Sequence, residues 1–143
     1  MNYRKLGTES EERYVLVCEA GDEPVAVIEQ FARENVIGSA GLTAIGAFQR
    51  VSLGYYDIDK QEYVTSDFDE QLEVVSFIGD ISLKDGEPMV HVHVALGRRD
   101  CTLVGGHLMG GTVRPTLEVI LTRTPDALSR RYDARSGLSL ISV

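Results

Sequence analysis

QLEVVSFIGDISLKDGEPMVHVHVAL, residues 71–96, decides the fold. Two runs rich in β-branched and aromatic residues flank the dipeptide Asp85-Gly86, a combination that suits a turn between strands. Side chains alternate faces along a strand. In the second run Met89, His91, His93 and Ala95 therefore share one face, and Val90, Val92, Val94 and Leu96 share the other. The valine face reads as core, which turns the histidines away from it.

The same texture extends in both directions. RYVLVCEA (13–20) reads as a strand buried on both sides or nearly so, with Tyr14, Leu16 and Cys18 on one face. AGLTAIGAFQRVSLGYYD, EYVTSDF and TVRPTLEVILTRT read as further strands, and GLSLISV as a terminal one. Between the first two strands, GDEPVAVIEQFARENVIG carries Val25, Ile28, Phe31, Ala32 and Val36 at helical spacing. Asp22 is the expected N-cap, Pro24 falls in the first turn, and Gly38 closes the segment. PDALSRRYDA is expected to form a short second helix. Successive strands without intervening helical patterns imply a mostly antiparallel sheet, so the expected fold is a single α+β domain over residues 1–143.

Composition limits the function. The 143 residues hold 43% hydrophobic and 25% charged residues, an ordinary globular mixture. No apolar run is long enough to span a bilayer, and MNYRKLGTESEERYV lacks the apolar core of a signal peptide, so the expected location is cytoplasmic, with no membrane partner. Cys18 and Cys101 read as reduced thiols, and no Cys-x-x-Cys pair exists for a structural zinc. The formal charge of −8 opposes a protein that coats nucleic acid. It is uneven: residues 1–90 hold 7 Lys+Arg against 18 Asp+Glu, whereas residues 91–143 hold 7 Arg against 4 Asp+Glu. A local basic face built on Arg98, Arg99, Arg130 and Arg131 is the weak nucleic-acid candidate.

All three histidines fall within residues 91–107. His91 and His93 stand roughly 6.5 Å apart along one strand face, at about 3.3 Å per residue, close enough to converge on one ion. His107 becomes a third ligand if its strand pairs beside them, and three histidines with an open fourth position make a well-attested zinc arrangement. On the residues alone, independently satisfied polar groups fit the pattern equally well. GGHLMGG (105–111) reads as bulge and turn geometry rather than a phosphate cradle, because no Lys-Ser/Thr ending or helix follows. DIDKQE (57–62) is no calcium loop, since Glu62 stands where the glycine belongs. Glu118 is a weak catalytic candidate, a carboxylate to orient a histidine or act as a base on a metal-bound water. Arg114, Gly105 and Gly106 are candidates for lining a ligand pocket.

Taken in order, Leu-Glu-Val (72–74), Gly-Asp-Ile-Ser (79–82), Asp85-Gly86, His-x-His (91–93), Gly-Gly-His-Leu (105–108), Gly-x-Val (111–113) and Thr-x-Glu (116–118) resemble the plant-and-prokaryote-conserved (PPC) domain. The resemblance runs over roughly residues 12 to 124. It implies an antiparallel sheet with one packed helix, assembled as a homotrimer. It also implies a metal held by His91, His93 and His107, with zinc the natural candidate. Plant members carry AT-hooks, Arg-Gly-Arg-Pro motifs for the DNA minor groove, and this chain has none. The chain thus looks like the stand-alone prokaryotic form. A DNA-binding or regulatory module and a metal-dependent hydrolase of unknown substrate are the two alternative functions. The family pattern expects glycine at position 101, where this chain has Cys101.

Overall fold

Strands form where β-branched residues alternate with polar ones, and among the described residues a single helix interrupts them. The structure, a computed structural model, describes residues 1–6 and 12–143; Gly7 to Glu11, part of the stretch expected to lack a signal-peptide core, lie outside the described residues. In chain order the elements are β1 (Asn2–Leu6), β2 (Arg13–Glu19), α1 (Pro24–Glu34), β3 (Ser39–Asp57), β4 (Glu62–Phe68), β5 (Leu72–Lys84), β6 (Glu87–Gly97), β7 (Leu103–Arg123), β8 (Ser129–Asp133) and β9 (Leu138–Ser142). The fold is α+β, a mostly antiparallel sheet with one main helix. Among the described residues no helix is long and apolar enough to cross a membrane.

Helix α1 begins one residue later than its N-cap signal suggested. Glu23, not Asp22, is the cap, its carboxylate accepting from the Val25 and Ala26 amides. Asp22 instead accepts from the Glu19 amide and closes the turn after β2. The helix also stops before Gly38. Asn35 folds its side-chain amide back onto the Phe31 carbonyl, and Val36 then takes a positive φ of 53°, so the left-handed turn falls two residues ahead of the glycine. Ile28, Phe31 and Ala32 are buried beneath the helix, and Phe31 meets Tyr14 of β2 edge to face at 5.2 Å. Ile28 and Phe31 each contribute about 1.5–3 kcal/mol by leaving water.

The long strands β3 and β7 pair antiparallel along nearly their whole length. β5 pairs with β3 on one side and β6 on the other, and β6 pairs back onto β7. Strands β3, β5, β6 and β7 thereby close a ring, which removes the free edges an open sheet would leave at these strands. Its interior is filled by Phe48, Phe77, Leu72, Val92, Leu96 and Val113, among others. β1 and β2 extend the sheet beyond β7, and β4 pairs with the distal half of β3.

The expected second helix is absent. Residues 129–133 of PDALSRRYDA are β8, paired antiparallel with β9 and joined to β5 by one parallel bridge, Leu83 to Ser129. Tertiary pairing overrides local preference here, because Arg130 finds partners on β5 that no isolated helix offers it. The terminal strand is present, as β9.

Candidate metal centre

The Asp85-Gly86 turn sets the first half of the site. Both residues have positive φ, 53° and 87°, the backbone of a two-residue hairpin. Lys84 pairs with Glu87, and the register then carries back without a shift to Asp80 opposite His91 and Ile78 opposite His93. Val90, Val92, Val94 and Leu96 are buried, so the other face of β6 points outward with both histidines.

The second half comes from β7. His107 pairs directly with His93 on one side and with Gly54 of β3 on the other. The reversal between β6 and β7 uses Cys101 at a φ of 65°, the left-handed conformation that suits the glycine expected there. The segment GGHLMGG lies within strand β7, not a turn, with a register shift near Met109. Gly105 and Gly106 pack where no side chain fits. A Cβ on Gly105 would stand 2.6 Å from the Val94 carbonyl oxygen, and one on Gly106 would stand 2.8 Å from that of Gly54. The two glycines let β6 and β3 close in on β7 and so position His107.

The three rings meet at centroid distances of 5.1 to 5.4 Å, and one nitrogen from each lies within 4.8 Å of the others. His91 and His107 are half-buried and His93 is exposed. Desolvation, followed by the neighbouring His91 and His93, pushes the His107 pKa down to about 4. Partial burial, then His91, also lowers that of His93. The His107 Nδ1 is buried with no hydrogen-bond partner. Imidazoles crowded together, two with lowered pKa values and one of these with an orphaned nitrogen, fit a soft-to-borderline divalent cation. The cluster is capable of metal coordination.

Residues that sequence reasoning did not nominate for the metal surround it. Asp80 lies beside His91, its Oδ2 3.8 Å from the Nδ1. Burial alone would raise the Asp80 pKa, but contacts with His91, Arg130 and Ser82 outweigh it and hold the carboxyl at about 2. Arg130 reaches both Asp80 oxygens, at 2.8 and 3.0 Å. Tyr63 of β4 lies against His107 with ring centroids 5.0 Å apart, and burial raises its pKa. Asp80 was legible in principle, because counting back from a two-residue turn places it opposite His91. Tyr63 was not, since β4 reaches the site only through its pairing with β3.

Other nominated residues are elsewhere. Glu118 is exposed and pairs with Val17 and Ile45, eleven residues along β7 from His107, so it does not join the cluster within the chain. Arg114 is exposed beside Pro115, away from the histidines. Arg98 is paired with Glu70 and stacked on Phe68, and Arg130 is committed to Asp80, which leaves Arg99 and Arg131 exposed.

The depressed His107 pKa has a consequence for the metal-free protein. An unfolded chain takes up a proton at this residue below about 6.5, whereas the folded chain refuses it until about 4. Stability therefore falls as pH drops from about 6.5 towards 4. Urea titrations at pH 7 and pH 5 in the presence of a chelator are expected to show the lower midpoint at pH 5, and His107→Asn is expected to reduce the difference.

A family model for the Plants and Prokaryotes Conserved (PCC) domain matches residues 6–125. The fold and the histidine cluster define a protein of this class, and the chain belongs to that family. A metal-containing protein from Archaeoglobus fulgidus is 37% identical, with a TM-score of 0.88, covering 94% of this chain and 96% of its own. A plant- and prokaryote-conserved protein from Pyrococcus horikoshii is 31% identical, with a TM-score of 0.87 and coverage of 96% and 98%. A protein from Ralstonia eutropha, described provisionally as DNA-binding, is 27% identical, with a TM-score of 0.87 and coverage of 97% and 95%. No match was found among curated proteins.

Proposed function

We propose that the chain is a metal-binding PPC domain that holds a divalent ion, zinc first among candidates, on His91, His93 and His107. The convergence of three imidazoles on one outward face carries this reading. The description of the Archaeoglobus relative as metal-containing supports it. Held by these three histidines, such an ion would supply a Lewis acid. The chain's own contribution is to fix three nitrogens by register and, at His93 and His107, to oppose protonation. Metal analysis of protein purified without a nickel column tests the reading. Stoichiometric zinc or a similar ion, lost in His91→Ala, is expected; no ion in the wild type overturns it.

Assembly as a homotrimer belongs to the same proposal. Ile120, Thr43, Ile78 and His93 follow one another across β7, β3, β5 and β6 on the outer face. Ile78 and Ile45 are each 63% exposed, with Val75 at 58% and Ile120 at 39% beside them. An uncovered apolar band of this kind favours association over solvation. Light scattering is expected to give three times the chain mass for the wild type and a smaller species for Ile78→Asp. A monomeric wild type at micromolar concentration contradicts the trimer and leaves the metal reading standing.

A further inference from the structure

The C-terminal hairpin of β8 and β9 lies beyond residue 125, where the family match ends, yet Arg130 of β8 reaches the histidines. The Arg130 side chain is 5% exposed. Its guanidinium donates to Ser82 Oγ at 2.7 Å, to the Ser139 carbonyl at 3.1 Å and to both oxygens of Asp80. The same Nη2 lies 3.3 Å from His91 Nδ1. Farther along, the hairpin tip is tied to the β3–β4 turn, with Tyr56 Oη donating to the Ser136 carbonyl and Gln61 Nε2 to the carbonyls of Ala134 and Arg135. The hairpin thus runs as a strap from β5 to the β3–β4 turn, anchored beside one of the three metal-site histidines.

Hydrogen-bond chemistry decides what this anchor does. His91 turns Nδ1 towards Asp80 and Arg130, which leaves Nε2 as the nitrogen free for an ion. A neutral imidazole that ligates through Nε2 must carry its proton on Nδ1, and that N–H needs an acceptor. Arg130 has no acceptor to offer, whereas Asp80 does. The ion-bound arrangement therefore requires Nδ1–H to donate to Asp80, and Asp80 is held in reach by Arg130 and by the Ser82 hydroxyl, which donates to it at 2.9 Å. Without an ion, Nδ1 is free to accept from Arg130 instead. Arg130 serves both arrangements, once through Asp80 and once directly.

We propose that Arg130 is a positioning residue for the metal: it fixes Asp80 against His91, so that the C-terminal hairpin completes the site and hairpin and ion each favour the other's binding. This rests on the metal reading above. An outer carboxylate that orients a ligating histidine typically contributes 10–100-fold in metal affinity, and coupling between two binding events is reciprocal.

The test compares zinc affinity, by competition with a chromophoric chelator, in the full-length wild type, Arg130→Met, Asp80→Asn, the double variant and Arg131→Met. Hydrogen exchange across residues 129–142 is measured with and without zinc. Losses of roughly 10–100-fold are expected for each single variant of the pair. The double variant is expected to bind no more weakly than Asp80→Asn alone, because Arg130 acts through Asp80, and Arg131→Met to match the wild type. Zinc is expected to slow exchange in the hairpin of the wild type and not of Asp80→Asn. Wild-type affinity in Arg130→Met, additive losses in the double variant, or hairpin exchange indifferent to zinc overturns the proposal. The wild-type exchange measurement decides even if Arg130→Met does not fold. A wild type that binds no zinc or other divalent ion overturns the metal reading and this proposal together; a wild type that binds zinc with no coupling to the hairpin overturns this proposal alone.

Discussion

His107→Ala is expected to abolish tight binding of a divalent ion while leaving the metal-free fold as stable as the wild type, or slightly more so. His107 is the residue that turns a pair of histidines into a three-nitrogen site, since it pairs directly with His93 across the β6–β7 ladder. Loss of an outer partner typically costs 10–100-fold in affinity, and loss of a direct ligand is expected to exceed that. The stability half of the prediction follows from the orphaned Nδ1. A buried polar atom without a partner carries a desolvation cost of about 1–3 kcal/mol, and alanine removes it. Equilibrium dialysis against zinc reads the first effect and thermal unfolding in chelator reads the second. Unchanged zinc binding in His107→Ala would falsify the three-histidine site. A large drop in metal-free stability would instead give the histidine a structural role.

Phe48→Ala is expected to destabilise the protein by about 3–5 kcal/mol, the range for removing a buried aromatic ring and leaving a cavity. Phe48 is wholly buried and pairs with Leu72 of β5 and Val113 of β7, at the point on β3 where the register shifts on both sides. The ring thus fills the space at the bend that lets one strand serve two neighbours. Typical domains have only 5–15 kcal/mol of total stability, so the variant loses a large share of its margin. Denaturant unfolding of metal-free protein measures it. A change below about 1 kcal/mol would mean that the bend repacks around the cavity.

Much of this was legible in the chain. Alternation in MVHVHVAL determined that His91 and His93 face away from the core, because side-chain direction along a strand has a period of two whatever the strand's partners are. The Asp85-Gly86 turn carried the β5–β6 register, since a two-residue hairpin leaves no slack in the pairing. The ordered motifs identified the family. The helix was legible as well, although the competition between Asp22 and Glu23 for its cap was settled by geometry at the end of β2 rather than by residue preference. SRRYD misled because a five-residue run with no apolar face has no local signal of its own, and only β9 and the Asp80 carboxylate make it a strand.

The sequence by itself therefore determined the main helix and most of the strands, the outward face of the histidine pair and the family. Tertiary structure alone decided that His107 pairs with His93, that Tyr63 and Arg130 come beside the cluster, and that Glu118 does not. The physical reason is the length of the connections. Periodicity and tight turns act over a few residues, whereas the β6–β7 register, the closure of the ring through β3 and the docking of the C-terminal hairpin depend on which distant backbones bond to each other. Those choices are made when the core closes around Phe48, Phe77 and Val92, and no short stretch of the chain contains them.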